Sequence, residues 1–141
     1  MSLSSEISDL NFTYLSDYER PDFSIPEIYL NFFIENDFVK VYAELSFIKN
    51  KQDVQTLNLK GSDIKIINLS IDNKKLSKSE YELYEDSLII NSIKKNKFVL
   101  KIESIIYPDS NNSLLGMYKS NKIITTQCEA EGFRRICYHP D

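Results

Sequence analysis

Between Thr125 and Arg135 the chain reads Thr-Thr-Gln-Cys-Glu-Ala-Glu-Gly-Phe-Arg-Arg, gathering two carboxylates, a carboxamide, a thiol and two guanidiniums in one short run. Groups this costly to desolvate do not gather in a segment meant only for a core. Read as an extended strand, in which alternate side chains share a face, the run sets Gln127, Glu129 and Glu131 on one side and Cys128, Ala130 and Gly132 on the other. A row of carboxylates suits an ammonium group, through charge-assisted hydrogen bonds that strengthen as water is excluded. The same carboxylates have a second use, pairing with Arg134 and Arg135 to tether a loop, and by residue type alone that use is the stronger.

Other chemistries have less to draw on. A peptidase-type zinc site takes His-Glu-x-x-His on a helix, a further carboxylate and an open position for water. The chain has 1 histidine, His139, so no such site can be assembled within it. Cys128, Cys137 and His139 fall short of four tetrahedral ligands, and their spacing matches no common zinc module; no metal and no cofactor is expected on this chain. A nucleophilic thiol would need a base and an orienting group. Cys128 is the better of the two thiols, but His139 is its sole imidazole and no oxyanion loop is evident, so a small apolar side chain beside a strand is the simpler reading. There is no Gly-rich phosphate loop.

Composition narrows the classes further. The formal net charge is -4, and its acidic share lies early: from Glu6 to Asp37 the acids face Arg20 alone. An acidic arm argues against a nucleic-acid surface, which needs a positive stripe. Lys74-Lys75 and Lys94-Lys95-Asn96-Lys97 fall where turns are expected and read as solvated loop tips. No apolar run reaches the ~18 residues of a membrane helix, and Met1-Ser2-Leu3-Ser4-Ser5-Glu6 lacks the basic start and apolar core of a secretory signal. Two cysteines make no disulfide framework. Free thiols in a reducing, cytoplasmic compartment are expected.

The elements that must position the 125–135 run are strands. With 141 residues and 42% hydrophobic content the chain suffices for one domain. Period-2 alternation predicts strands over Ile28 to Ile34 and Val39 to Phe47, joined at the turn dipeptide Asn36-Asp37 into a long hairpin. Further strands are predicted over Thr56 to Leu59, Ile64 to Ile71, Glu80 to Tyr84, Ser87 to Ile90 and Phe98 to Ile105, with turns at Asp72-Asn73 and Glu85-Asp86. Pro108 to Asn112 breaks the last of these from the polar run. Such spacing predicts an all-β, antiparallel sandwich or strongly twisted sheet, with no helix beyond a turn or two. Leu30, Phe32, Val41, Leu45, Leu100 and Ile102 are expected in the core, as are most of the aromatic residues, which fall on alternating positions. Residues 1–17 are expected to form a loose acidic arm and residues 18–141 the β domain.

The run from Thr125 to Asp141, TTQCEAEGFRRICYHPD, resembles the signature of the aminopeptidase N family of zinc metallo-aminopeptidases. Supporting pieces in the same order are Tyr18-Glu19-Arg20-Pro21-Asp22-Phe23, Leu59-Lys60-Gly61-Ser62-Asp63-Ile64-Lys65 and Leu114-Leu115-Gly116-Met117-Tyr118-Lys119-Ser120. The resemblance is to the N-terminal domain of the bacterial type and covers the chain from about Tyr18 onward. It implies a saddle-shaped antiparallel β domain packed on a thermolysin-like catalytic domain of the same polypeptide. It also implies that the segment 127 to 130 reaches into the active site: the glutamate at Glu129 binds the substrate's α-ammonium, the glutamine at Gln127 lines the pocket for the first side chain, and Ala130 lies in the same substrate-binding segment. The zinc ligands, the general base and the oxyanion tyrosine of the family would all lie downstream. One departure is Asn121-Lys122, where a Gly-containing turn is usual; the resemblance also implies that the family domain's last strands are expected beyond Asp141.

Two functions are therefore expected to compete. The first is a non-catalytic N-terminal part of a zinc aminopeptidase that recognises peptide N-termini, with an uncovered interface and sheet edge prone to self-association. The second is a self-sufficient β-sandwich module that binds a peptide or partner protein. A polar segment fully paired within its own fold favours the second; a large apolar face that is disordered or covered by a dimer favours the first.

Overall fold

The computed structural model describes residues 14–140; residues 1–13, most of the expected acidic arm, and Asp141 lie outside it. Three antiparallel sheets account for the regular structure. The largest has the order β1-β2-β8-β4-β5, from β1 (Phe23–Ile34), β2 (Val39–Lys49), β4 (Lys65–Ile71), β5 (Lys74–Lys75) and β8 (Lys97–Ile106). A three-stranded sheet follows the order β3-β7-β6, from β3 (Leu57–Lys60), β6 (Tyr81–Leu83) and β7 (Ser87–Ile90). A hairpin of β9 (Gly116–Ser120) and β10 (Ile123–Gln127) stands apart. Among the described residues helical structure is limited to short 3-10 turns at Leu15–Asp17, Pro108–Ser110 and Gly132–Arg135.

The predicted hairpin is present. Ile34 pairs with Val39, Leu30 with Ala43 and Ile28 with Leu45, and Glu35 N–H donates to the Phe38 carbonyl across the Asn36-Asp37 tip (2.9 Å). β1 starts earlier than alternation indicates, at Phe23, with a register shift between Ser24 and Glu27. Pro26 sits at that irregularity, where a missing N–H is tolerated because β1 is an edge strand. Asp72 and Asn73 take φ of 48° and 67°, the left-handed pair of a two-residue hairpin tip. They turn β4 into β5, so Lys74-Lys75 is a short strand and not a loop tip.

Both larger sheets feed one core. Val41, Leu45 and Leu100 from one sheet and Leu57, Leu59, Leu88 and Ile90 from the other are fully buried. Phe23, Phe47 and Phe98 close one end, with Phe47 and Phe98 stacked at 5.2 Å and Phe23 edge-on to both. Val41, Leu45, Leu100 and Ile102 are core residues as expected. One expectation is corrected, since Phe32 is 36% exposed; Leu30 is half-buried and packs against the core. Both point to the core side of the sheet, opposite Val41 and Ala43, but β1 is its edge and lies less covered than β2; Ile28 and Ile34, on the same face, are exposed for the same reason, whereas Phe33 is on the outer face, edge-on to Tyr42. The aromatic residues divide likewise. Phe23, Phe47, Phe98 and Tyr138 are buried, whereas Tyr29, Tyr42, Tyr84 and Tyr107 are exposed, so the expectation that most lie in the core does not hold.

Candidate functional site

The polar run begins on a strand and leaves it. β10 carries Ile123, Ile124, Thr125 and Thr126, β-branched residues that fit a pleated surface. It pairs with β9 from Ile123↔Ser120 to Gln127↔Gly116. Asn121, at the tip, adopts φ 55°, a left-handed conformation that asparagine tolerates; the departure from a glycine turn therefore leaves the hairpin intact. Ahead of β9 the Asn111 carboxamide ties the approach. Its NH2 group donates to the Leu115 and Met117 carbonyls (2.7 and 2.9 Å), and its oxygen accepts from Ser113 N–H and Oγ–H (3.1 and 2.6 Å).

After Gln127 the strand ends. Residues 128–131 form a turn closed by Gly132 N–H donating to the Cys128 carbonyl (2.9 Å), and the Glu129–Ala130 peptide is cis. Gln127, Glu129 and Glu131 therefore do not share a strand face, which corrects the alternation expected from the sequence. They are nonetheless neighbours: the Gln127 carboxamide donates to the Glu129 backbone carbonyl (3.3 Å). Gln127, Glu129 and Ala130 are all exposed.

The segment beyond the turn is clamped. Ile136, Cys137 and Tyr138 enter the core. His139 and Lys60 exchange both backbone hydrogen bonds (2.7 and 3.1 Å), and Ser62 N–H donates to the Arg134 carbonyl (2.9 Å). Arg135 forms an ion pair with Asp63, and Arg134 reaches Glu131 at 3.5 Å. The two guanidiniums thus have carboxylate partners, and neither is Glu129, which makes no ion pair among the described residues.

The remaining candidates separate. Cys128 is exposed, so it is no apolar filler; Cys137 is the buried thiol, its pKa pushed up to about 12 by desolvation. Both are free. His139 is partly packed, edge-on to Phe133 at 4.9 Å. Among the described residues no three His, Cys, Asp or Glu side chains are grouped to hold a metal ion. Gly116, Gly132 and Asp63 also shape this site, roles that residue type alone does not assign; the scarcity of glycine, 3 in the chain, is the signal that marks two of them.

No family model matches the chain. Its sequence is 38% identical over 127 residues to aminopeptidase N of Caulobacter vibrioides, covering 90% of this chain and 15% of that protein. The chain is homologous to the N-terminal region of the aminopeptidases N. It spans about 15% of the length of this relative, whose remaining length lies outside the match. The fold agrees with that of Legionella pneumophila aminopeptidase A, solved in complex with aspartic acid, at a TM-score of 0.81 and 30% identity over 92% of this chain and 15% of that one. An M1 zinc metallopeptidase of Deinococcus radiodurans shares the fold at a TM-score of 0.65 with 9% identity, over 80% of this chain and 28% of that one. The all-β, antiparallel architecture is that of the N-terminal domain of such enzymes.

Proposed function

We propose that this chain is the non-catalytic N-terminal region of a zinc aminopeptidase and frames the substrate's free N-terminus. Glu129 receives the α-ammonium, Gln127 lines the pocket for the first side chain, and Ala130 belongs to the same presented segment. One observation carries the reading: Glu129 is an exposed carboxylate whose two nearest candidate partners in sequence are engaged elsewhere, Arg134 with Glu131 and Arg135 with Asp63. A carboxylate left open on an exposed turn beside a clamped segment is suited to an incoming cation. The aspartic acid held by the Legionella relative is of the same ligand class, an amino acid with a free ammonium. The competing reading, a self-sufficient interaction module, called for a fully paired polar segment, and Glu129 makes no ion pair among the described residues.

Among the described residues no trio of ligands fits a zinc site; in this reading metal and peptide-bond chemistry belong to the length of the relatives that lies outside the match. This region binds and orients. An exposed carboxylate–ammonium pair gains about 0.2–1 kcal/mol; enclosed by a catalytic domain and fixed beforehand, the same pair gains several times that. The reading also places the protein in a reducing cytoplasm, supported by two free thiols.

The test is Glu129→Gln in the full-length protein, a change that keeps size and removes charge. Catalytic efficiency on aminoacyl amides should fall at least roughly tenfold, equivalent to about 1.4 kcal/mol, with folding and metal content unchanged. Equal efficiency in the variant and its parent would remove the proposed role.

A further inference from the structure

We infer that Gly132 is a positioning residue for Glu129: its missing Cβ lets the last 3-10 turn pass against the Gln127 carbonyl, and that crossing sets where the 128–131 turn presents its carboxylate. The inference rests on the proposed reading of Glu129 as the ammonium-binding group.

A Cβ built on Gly132 would stand 2.1 Å from the Gln127 carbonyl oxygen, 3.0 Å from its carbon and 2.8 Å from Gly116 N. All three are backbone atoms, which cannot swing aside as the tip of a side chain can. Gly132 does not have a positive φ, so conformation does not demand glycine here; space does. Gly116 meets it from the start of β9. Its φ of 75° calls for glycine directly, and a Cβ there would lie 2.6 Å from Arg135 Cβ and 3.0 Å from the Gly132 carbonyl oxygen. The two glycines form a backbone crossing that closes the ring from Gln127 through the turn to Gly132.

The crossing has one rigid side and one loose side. Beyond it the chain is anchored by Arg135 on Asp63, by Ser62 N–H on the Arg134 carbonyl and by Ile136, Cys137 and Tyr138 in the core. The 128–131 turn is exposed and held by the Gly132-to-Cys128 hydrogen bond, the Gln127 carboxamide at 3.3 Å and an exposed Glu131–Arg134 ion pair at 3.5 Å, none of which is on Glu129's side chain. A side chain at position 132 therefore displaces the turn, and Glu129 with it. A misplacement of about 1 Å costs roughly a hundredfold in rate.

The experiment is a double-mutant cycle in the full-length protein, reading kcat/KM on an aminoacyl amide for the parent, Gly132→Ala, Glu129→Gln and the double variant. Groups that act through one another are non-additive. Gly132→Ala should lower efficiency by roughly tenfold to a hundredfold in the parent and add almost nothing in the Glu129→Gln background. An equal drop in both backgrounds, or no drop in the parent, overturns the positioning role. If Glu129→Gln alone changes nothing, the proposed function itself fails, so the two failures are told apart. Should Gly132→Ala not fold, Asp63→Asn takes its place in the cycle. That carboxylate is 73% exposed, and its loss loosens the anchor through Arg135; a drop confined to the background with an intact Glu129 supports the role, and an additive one overturns it.

Discussion

The ring of Tyr138 presses so closely on Gly61 that a Cβ on the glycine would stand 2.3 Å from Cδ1 and 2.5 Å from Cε1. The contact joins the end of the chain to the segment after β3, beside the Lys60–His139 backbone pair. Tyr138 is only 2% exposed and has little room to withdraw. Gly61→Ala should therefore lower stability by about 1–3 kcal/mol, as overpacking does. A urea midpoint that falls at unchanged slope would register it; an unchanged midpoint would mean that the ring moves aside at no cost.

Leu45 and Phe32 rank opposite to their size. Leu45 is fully buried on a central strand, while Phe32 is 36% exposed on the edge. Leu45→Ala should cost about 2–5 kcal/mol. Phe32→Ala, which deletes more carbon, should cost less. Denaturant unfolding of the two variants side by side gives the order, and the reverse order would mean that β1 is covered in solution.

The two thiols should differ in reactivity. Desolvation holds the Cys137 thiol up at about 12, while Cys128 is exposed. The thiolate is the reactive form, so a colorimetric disulfide reagent near neutral pH should titrate Cys128 at once and Cys137 only in denaturant. Cys128→Ser should abolish the fast phase. A fast phase that survives in this variant would show that Cys137 is reached without unfolding.

Asp72 links stability to pH. Its carboxyl is held below the usual 3.8 by the Lys95 ammonium at 2.6 Å and then by the Val99 N–H at 2.9 Å. Because folding lowers this pKa, the contribution is fully present above the unfolded value of 3.8 and is lost as pH falls through the folded one. Asp72→Asn should be less stable than the parent near neutral pH, and the difference should shrink as pH drops below about 4. The Lys95 Nζ is on an exposed side chain, so part of the difference should also fade in high salt. Urea midpoints of both proteins across this range provide the comparison; a difference constant with pH would place the effect in the hairpin tip and not in the charge.

Much of the fold was legible in the sequence because strand alternation and turn chemistry are local. Val39 to Phe47 alternates, and every second residue is buried; Ser87 to Ile90 has the bounds expected of it; Asn36-Asp37 and Asp72-Asn73 turn the chain where they should. Alternation states which side chains share a face, not whether anything lies over that face. That is why Phe32 was misplaced: its cover depends on how far a sheet assembled from β3, β6 and β7 extends. The same limit applied to the polar run, where period-2 reasoning carried Gln127, Glu129 and Glu131 along a strand that stops at Gln127.

By itself the sequence determined the all-β class, the order of the first hairpin, the kinship with aminopeptidase N and the chemical types concentrated between Gln127 and Arg135. Only the tertiary structure decided which charges pair. Arg135 reaches Asp63 across 72 positions of sequence, and Gly132 meets Gly116 and Gln127 through backbone contacts brought about by a hairpin and a turn. Residue types and local periods reflect the geometry of a few consecutive bonds. A partner from a distant segment is selected by packing the whole chain, and here that packing leaves Glu129 as the carboxylate without an ion pair in the candidate site.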